Sequence, residues 1–415
     1  MSRSFVRLQR TPDGDTIISL MESVGGGAVS QPPESTHGLP ELRPTTVADL
    51  RSFGDALRKV LSTCPAVAME LDLRASRQGE KPLHLEVTGH EEVAWELLHD
   101  QDFLGLDPKQ PLARVVASQR AAPTLPRAFE LPLRLCVILA TEGVSPKEEL
   151  QRIGAALRSS GLEHQLLVLT ADPTLLDLDP AWATVEGTGA SAYDLVERIR
   201  SFRPHVLHIS SHGSQQHGSY LEISTPLHLK GLGEPIRLDA EHLRDLEPLE
   251  LPWLMVLNAC HVGGAQYDGS SMATKLVELG VPAVVAMREP IPNAEAEAFT
   301  EAYLPKVLRT LKLAHQQARG QNIPLLWSKL LPRARRTLRD LHNPADTDPA
   351  TLPKRLWSVP LLVLDAQPLL VRAARDDVDP AELRDIEEQL IAGYASMTQF
   401  GAPTDLYTLF QRIWR

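Results

Sequence analysis

From Leu131 onward the chain alternates short apolar runs with segments of helical spacing, and this alternation limits the fold more than any other feature. Leu133–Leu139 reads as a strand, followed by a helix that begins near Pro146 and carries Leu150, Ile153 and Leu157 on one face. Leu166–Thr170 is a second strand, Ala192–Phe202 a helix, and Val206–Ser210 and Leu254–Leu257 the third and fourth strands. A helix with Met272, Leu276 and Leu279 leads to Val281–Met287, and Leu361–Leu364 supplies a sixth strand. Strands joined through helices run parallel, because a crossover returns the chain to the end from which it started. Their near-continuous apolar character implies burial on both faces. The expected fold class is therefore α/β: a doubly wound, mostly parallel sheet flanked by helices.

Two of these strands stop on reactive side chains. Val206–Ser210 is followed by Ser211, His212 and Gly213, and Leu254–Leu257 by Asn258, Ala259 and Cys260, 48 positions beyond the histidine. A free thiol is mostly protonated near neutral pH, so Cys260 needs a base, and adjacency of the two strands brings His212 within reach. Gly213 lets its N–H approach a reacting carbonyl with no side chain intervening, and with the N–H of Cys260 it makes a two-donor oxyanion hole. Gly263 and Gly264 permit a tight exit turn. The competing reading makes Cys260 a small core hydrophobe and His212 a loop residue. A zinc hydrolase built on His205, His208, His212 and His217 is a further alternative, disfavoured because no carboxylate accompanies the cluster before Glu222. His208 reads as a core histidine with its own partner, and His261 as a rim residue. Asp194 and Asp268 are both open as orienting carboxylates for His212.

The length of 415 residues suggests two or three domains. Residues 1–125 read as a smaller α/β region. It holds a hairpin within 1–24, a Gly/Pro-rich linker near 25–44, a helix on Leu50, Phe53, Leu57 and Leu61, and strands at Val67–Leu73 and Leu83–Val87. Residues 131–367 form the main domain. Residues 368–415 form a helical tail, with a capped start at Asp379, Pro380 and Glu382 and a final apolar face of Leu406, Leu409, Phe410, Ile413 and Trp414.

The net charge of −11 argues against nucleic acid as a partner, since gripping a phosphate backbone requires basic surface. The basic run Lys329–Arg339 reads as a solvated helix face. Three cysteines, none at metal-ligand spacing from another, exclude a disulfide framework and a Cys-based zinc site. No signal segment and no membrane span are read from the sequence, so the expected location is cytoplasmic, with no membrane partner. No cofactor and no metal are expected.

His212-Gly213 after one apolar strand and Asn258-Ala259-Cys260-His261 after the next resemble the His-Gly and Cys motifs of caspase-like cysteine peptidases, most closely the CHAT-domain branch, a bacterial group often joined to tetratricopeptide repeats. Trp95–Leu98 with Phe103–Leu106 and Arg114, Gly280–Met287 and Trp357–Leu361 resemble the same branch, so the likeness spans about residues 80 to 365. The resemblance implies a cysteine endopeptidase in which Cys260 attacks the scissile carbonyl and His212 protonates the leaving amine. It implies a bacterial regulatory or defence protease acting on a protein substrate, with an activating or repeat-protein partner. The alternative is a non-catalytic module of the same fold. In this fold the residue two before the nucleophile, Asn258, lines the pocket for the substrate residue preceding the cut, with Arg288 or Glu289 on the opposite wall. Caspases carry Gln-Ala-Cys where this chain has Asn258-Ala259-Cys260. A neutral amide at Asn258 predicts preference for an uncharged residue.

Overall fold

β1 (Ser4–Arg10) and β2 (Thr16–Val24) form the hairpin expected at the start of the chain, paired from Ser4 opposite Glu22 to Arg10 opposite Thr16, and β3 (Gly27–Ser30) adds to the outer side of β2. The computed structural model describes residues 4–24, 27–30, 34–36, 47–76, 82–116, 126–140, 146–176, 182–214, 219–259, 271–318, 321–341 and 356–373. α1 (Val47–Leu61) buries Leu50, Phe53, Leu57 and Leu61, as their spacing dictates.

α2 (Pro65–Ser76) corrects the reading of Val67–Leu73 as a strand. Val67 and Leu71, four residues apart, are buried, whereas Met69 and Leu73 are 62% and 39% exposed, so the apparent alternation joined residues from opposite sides of a helix. Pro65 presets the first turn, and the run of Ala, Met, Glu, Leu and Arg favours helix. β4 (Leu83–Thr88) and β5 (Leu112–Val116) follow.

The next part begins with β6 (Leu133–Leu139), α3 (Pro146–Ser160), β7 (His164–Thr170), β8 (Thr184–Gly187), α4 (Ala192–Phe202) and β9 (Val206–Ser210). β10 (His212–Ser214), β11 (Tyr220–Ile223) and β12 (Ile236–Leu238) form a small antiparallel sheet of their own. The chain then returns through β13 (Leu254–Asn258), α5 (Met272–Glu278), β14 (Ala283–Met287), α6 (Asn293–Gln317), α7 (Leu331–Leu341) and β15 (Pro360–Asp365).

Among the described residues one 13-stranded sheet runs in the order β8-β7-β6-β9-β13-β14-β15-β5-β4-β1-β2-β3, with Glu34–Thr36 also paired to β2. From β8 to β14 all neighbours are parallel. β15 is the sixth strand expected at Leu361–Leu364, but it runs antiparallel to β14. Two packed helices, α6 and α7, connect the pair instead of one, and a second helix brings the chain back to the end it left. β15 then pairs in parallel with β5, so the strands of the first 125 residues continue the same sheet.

Alternation along the strands separates two cores. Leu133, Leu135, Val137 and Leu139 face one way with residues of α3 and α6, and Cys136 and Ile138 face the other way with residues of α4 and α5. Leu370–Ala373, the beginning of the stretch expected to be helical, is instead a strand paired with Arg127–Phe129 and Ile323–Pro324, with Val371 buried. The expected helices at 379–390 and 406–414 lie outside the described residues. No described helix is long and apolar enough to cross a membrane.

Candidate active site

β9 and β13 are neighbours, paired from Val206 opposite Leu254 to Ser210 opposite Asn258, and both end at the carboxyl edge of the sheet. Strand order runs outward from β6 through β7 to β8 on one side and through β9 and β13 on the other. The crevice for a ligand in such a sheet lies where the winding reverses, beside the ends of these strands. His212 begins β10, opposite Glu222, and its side chain is exposed; Gly213 stands opposite Leu221. Ser211 N–H donates to the Asn258 carbonyl at 3.4 Å and ties the two strand ends together. Cys260 lies outside the described residues, as do His217, His261, Gly263, Gly264 and Asp268; the described chain stops at Ala259, one residue before the candidate nucleophile.

A cavity of about 130 Å³ opens at this place, lined by His212, Ser210, Ser211, Asn258 and Ala259 from the strand ends, Glu149 from α3, and Ile291, Asn293, Ala296 and Glu297 at the start of α6. Its floor is a directional hydrogen-bond chain. The Asn258 amide nitrogen donates to the Ala296 carbonyl at 3.3 Å and to Thr300 Oγ1 at 3.4 Å, and the Thr300 hydroxyl donates to Glu149 Oε1 at 2.8 Å. His208 Nε2 reaches the same Glu149 oxygen at 2.8 Å. His208 and Asn258 share a strand face by alternation, the face that packs on α3 and α6. Glu149 is 1% and Asn258 6% exposed, yet Glu149 Oε2 and Asn258 Oδ1 have no hydrogen-bond partner among the described residues. Two acceptor atoms are therefore spare beside His212, where a buried polar group ordinarily has a partner.

His208 thus has its expected core partner, and that partner is a carboxylate which the sequence reading did not anticipate. The signal was present: Glu149 interrupts the buried stripe of α3 between Pro146, Leu150 and Ile153, and a charge seldom sits there without a purpose. Thr300, on the buried side of α6, carried no comparable mark. Among the described residues no group of three or more His, Cys, Asp and Glu is placed to hold a metal. Asp194 is engaged at the start of α4, where its carboxylate accepts from Ala190 N at 3.1 Å.

Arg288 and Glu289 stand beyond β14 and do not line the cavity. Arg288 N–H donates to the Val359 carbonyl at 3.1 Å, and its Nη2 lies 3.2 Å from Glu289 Oε1, so the two charges offset each other. Arg288 faces instead a buried ionic brace. Arg114 grips Glu96 with Nε on Oε1 and Nη2 on Oε2, both at 3.0 Å, and donates to the carbonyls of Glu91 and Val93. Burial alone would raise the Glu96 carboxyl, but Arg114, assisted by Arg335 and Arg288, outweighs it and holds the group below its ordinary value.

Arg335 corrects the reading of Lys329–Arg339 as a solvated face: it is fully buried, with Nε and Nη2 on the Pro360 carbonyl and Nη1 on the Gly105 carbonyl. Burial lowers its pKa to about 10. A side chain at position 105 would run into the Glu96 carbonyl, so the close approach requires Gly105.

Parallel strands of the order described, flanked by helices and with a histidine just past the carboxyl end of one of them, define an α/β fold. Residues 145–325 match the family model of the CHAT domain. Three solved structures similar to the chain each share 11% identity with it. The Arg-specific cysteine proteinase gingipain R aligns over 80% of this chain and 70% of its own with a TM-score of 0.44. The complex of the pro- and mature domains of Porphyromonas gingivalis RgpB aligns over 78% and 70% with a TM-score of 0.45. The Saccharomyces cerevisiae separase–securin complex aligns over 70% of this chain but 15% of its own, with a TM-score of 0.38. A comparison with curated proteins returned no match.

Proposed function

We propose that the protein is a cysteine endopeptidase. The observation that carries this reading is the shared cavity at the carboxyl ends of β9 and β13, where His212 stands beside Asn258 and Ala259, the two residues that lead into Cys260. In the proposed reaction the Cys260 thiolate attacks the scissile carbonyl carbon, and the N–H groups of Gly213 and Cys260 hold the oxyanion. His212, as imidazolium, gives its proton to the departing amine as the C–N bond breaks. Water, deprotonated by His212, then hydrolyses the thioester and restores the thiol.

Asn258 alone argued for an uncharged residue before the cut. Its amide nitrogen, however, is spent on α6, which leaves its buried Oδ1 without a partner among the described residues, and Glu149 Oε2, from the same cavity lining, is likewise unpartnered. A side chain rich in donors satisfies both, so the reading now favours Arg or Lys. The catalytic unit is taken as residues 131–367, with residues 1–125 as an α/β region. A cytoplasmic regulatory or defence role, on one protein substrate or few, completes the proposal.

The test is proteomic mapping of cut sites with the intact protein beside Cys260→Ala and His212→Ala controls. Matching losses in both variants, with folding retained, support a catalytic pair. Undiminished cleavage by Cys260→Ala removes it.

A further inference from the structure

Thr300 lies in α6 with its side chain buried against the sheet, 2% exposed. A threonine hydroxyl inside a helix ordinarily folds back on the carbonyl four residues earlier. Here that carbonyl, of Ala296, lies at 3.3 Å, but Glu149 Oε1 of α3 lies at 2.8 Å. The hydroxyl has one hydrogen, and the nearer, charged acceptor takes it.

That choice fixes the polarity of Asn258. With its hydrogen on Glu149, Thr300 Oγ1 can only accept from a further neighbour, and the Ala296 carbonyl can only accept as well. Asn258 meets the carbonyl at 3.3 Å and the hydroxyl at 3.4 Å, so it must present its NH2 group to both, which leaves Oδ1 for another donor.

The same hydroxyl settles which oxygen of Glu149 is engaged. Thr300 Oγ1 and His208 Nε2 both meet Oε1, each at 2.8 Å, and Oε2 has no partner among the described residues. Two groups from different elements, α6 and β9, therefore pin the carboxylate by one oxygen and leave the other spare. Glu149, Asn258, Thr300 and His208 are each at most 6% exposed, so bulk water is a poor substitute for these bonds.

From this chain of bonds we infer that Thr300 is the positioning residue for selectivity at the cavity beside His212. It holds Glu149 and Asn258 so that their two spare atoms are both acceptors, a pattern that favours a guanidinium or ammonium group over a neutral group of the same shape. Glu149 and Asn258 line the cavity and Thr300 does not, so it acts through them. The inference rests on the peptidase reading for the identity of the cation, which is then the side chain before the cut. The preference for a cation is measurable without any cleavage.

The experiment is calorimetric titration of the full chain with butylguanidinium and its neutral isostere butylurea, beside Thr300→Val and Thr300→Ser. The wild type should bind butylguanidinium saturably and roughly tenfold or more tighter than butylurea. Thr300→Val should remove most of that ratio, and Thr300→Ser, which keeps the hydroxyl, should preserve it within about twofold. A general loosening of the fold weakens both ligands and leaves the ratio unmoved. Thr300→Ala gives the same reading if Thr300→Val fails to fold. Peptides with arginine or citrulline before the cut should show the matching change in their ratio of kcat/KM. Absence of cleavage with the guanidinium preference intact would remove the peptidase reading alone. The inference is overturned if butylguanidinium does not bind saturably at millimolar concentration, if it binds no tighter than butylurea, if Thr300→Val keeps the wild-type ratio, or if Thr300→Ser loses it as Thr300→Val does.

Discussion

His205 makes the stability of this protein depend on pH in a way that one substitution isolates. The ring is 3% exposed, its edge meets Trp253 at a centroid distance of 4.4 Å, and its pKa is lowered to about 3 by burial and by Arg134 and Arg127. In the unfolded chain an ordinary histidine titrates near 6.5. Below that value the unfolded state takes up a proton that the native state refuses. The contribution of His205 to stability is therefore fully present above pH 6.5 and declines as the pH falls towards 3. Each unit is worth about 1.4 kcal/mol, so by pH 5 the loss from this group alone is about 2 kcal/mol.

His205→Asn places an amide oxygen where Nδ1 accepts from Arg134 N and removes the titration. Denaturant midpoints of both proteins, measured from pH 7.5 to 5.0, should diverge: the wild type loses about 2 kcal/mol more than the variant over this interval. A lower stability of the variant at pH 7.5, from the lost ring contact, does not affect that comparison. Parallel pH profiles would refute the argument, since they would show that His205 accepts a proton in the folded protein.

Three further outcomes are expected. A maleimide should label Cys260 in the native protein while Cys64 and Cys136, 1% and 0% exposed, react only after denaturation; peptide mapping by mass spectrometry reads the difference, and early labelling of Cys64 or Cys136 contradicts the packing. Glu149→Gln should lower kcat/KM for peptides with Arg or Lys before the cut by roughly tenfold or more relative to a neutral residue, and an unchanged ratio removes Glu149 from the specificity site. Arg114→Met strands the Glu96 carboxylate in the core and should destabilise the protein by about 3–5 kcal/mol at pH 7, measured by denaturation, whereas a loss below about 1 kcal/mol would mean the brace is dispensable.

The alternation of strands and helices was legible because each signal is local: Leu133–Leu139 and Ala192–Phe202 have the limits their apolar pattern marks. Val67–Leu73 misled because Met69, Leu71 and Leu73 alternate by chance, and only contact with the sheet shows which of them are buried. The pairing of β5 with β15 joins residues far apart in sequence and leaves no mark in either segment. At the candidate site, His212 and Asn258, which line one cavity, were legible through the strands that lead to them. Glu149 and Thr300 were missed because they reach the cavity from helices, and their meeting with Asn258 depends on how α3 and α6 settle on one sheet face.

The joint between β15 and β5 has a practical consequence for dissecting the molecule. A fragment beginning near residue 131 keeps β6 to β15 but loses the strand that covers the far side of β15. Leu361, Leu362, Val363 and Leu364, all at most 2% exposed in the intact chain, would then border an unpaired row of backbone donors and acceptors. Such an apolar sheet edge is a template for another chain. Truncates of this kind should aggregate or dimerise through β15, so insolubility of such a fragment reports a missing neighbour strand and not a misfolded candidate site.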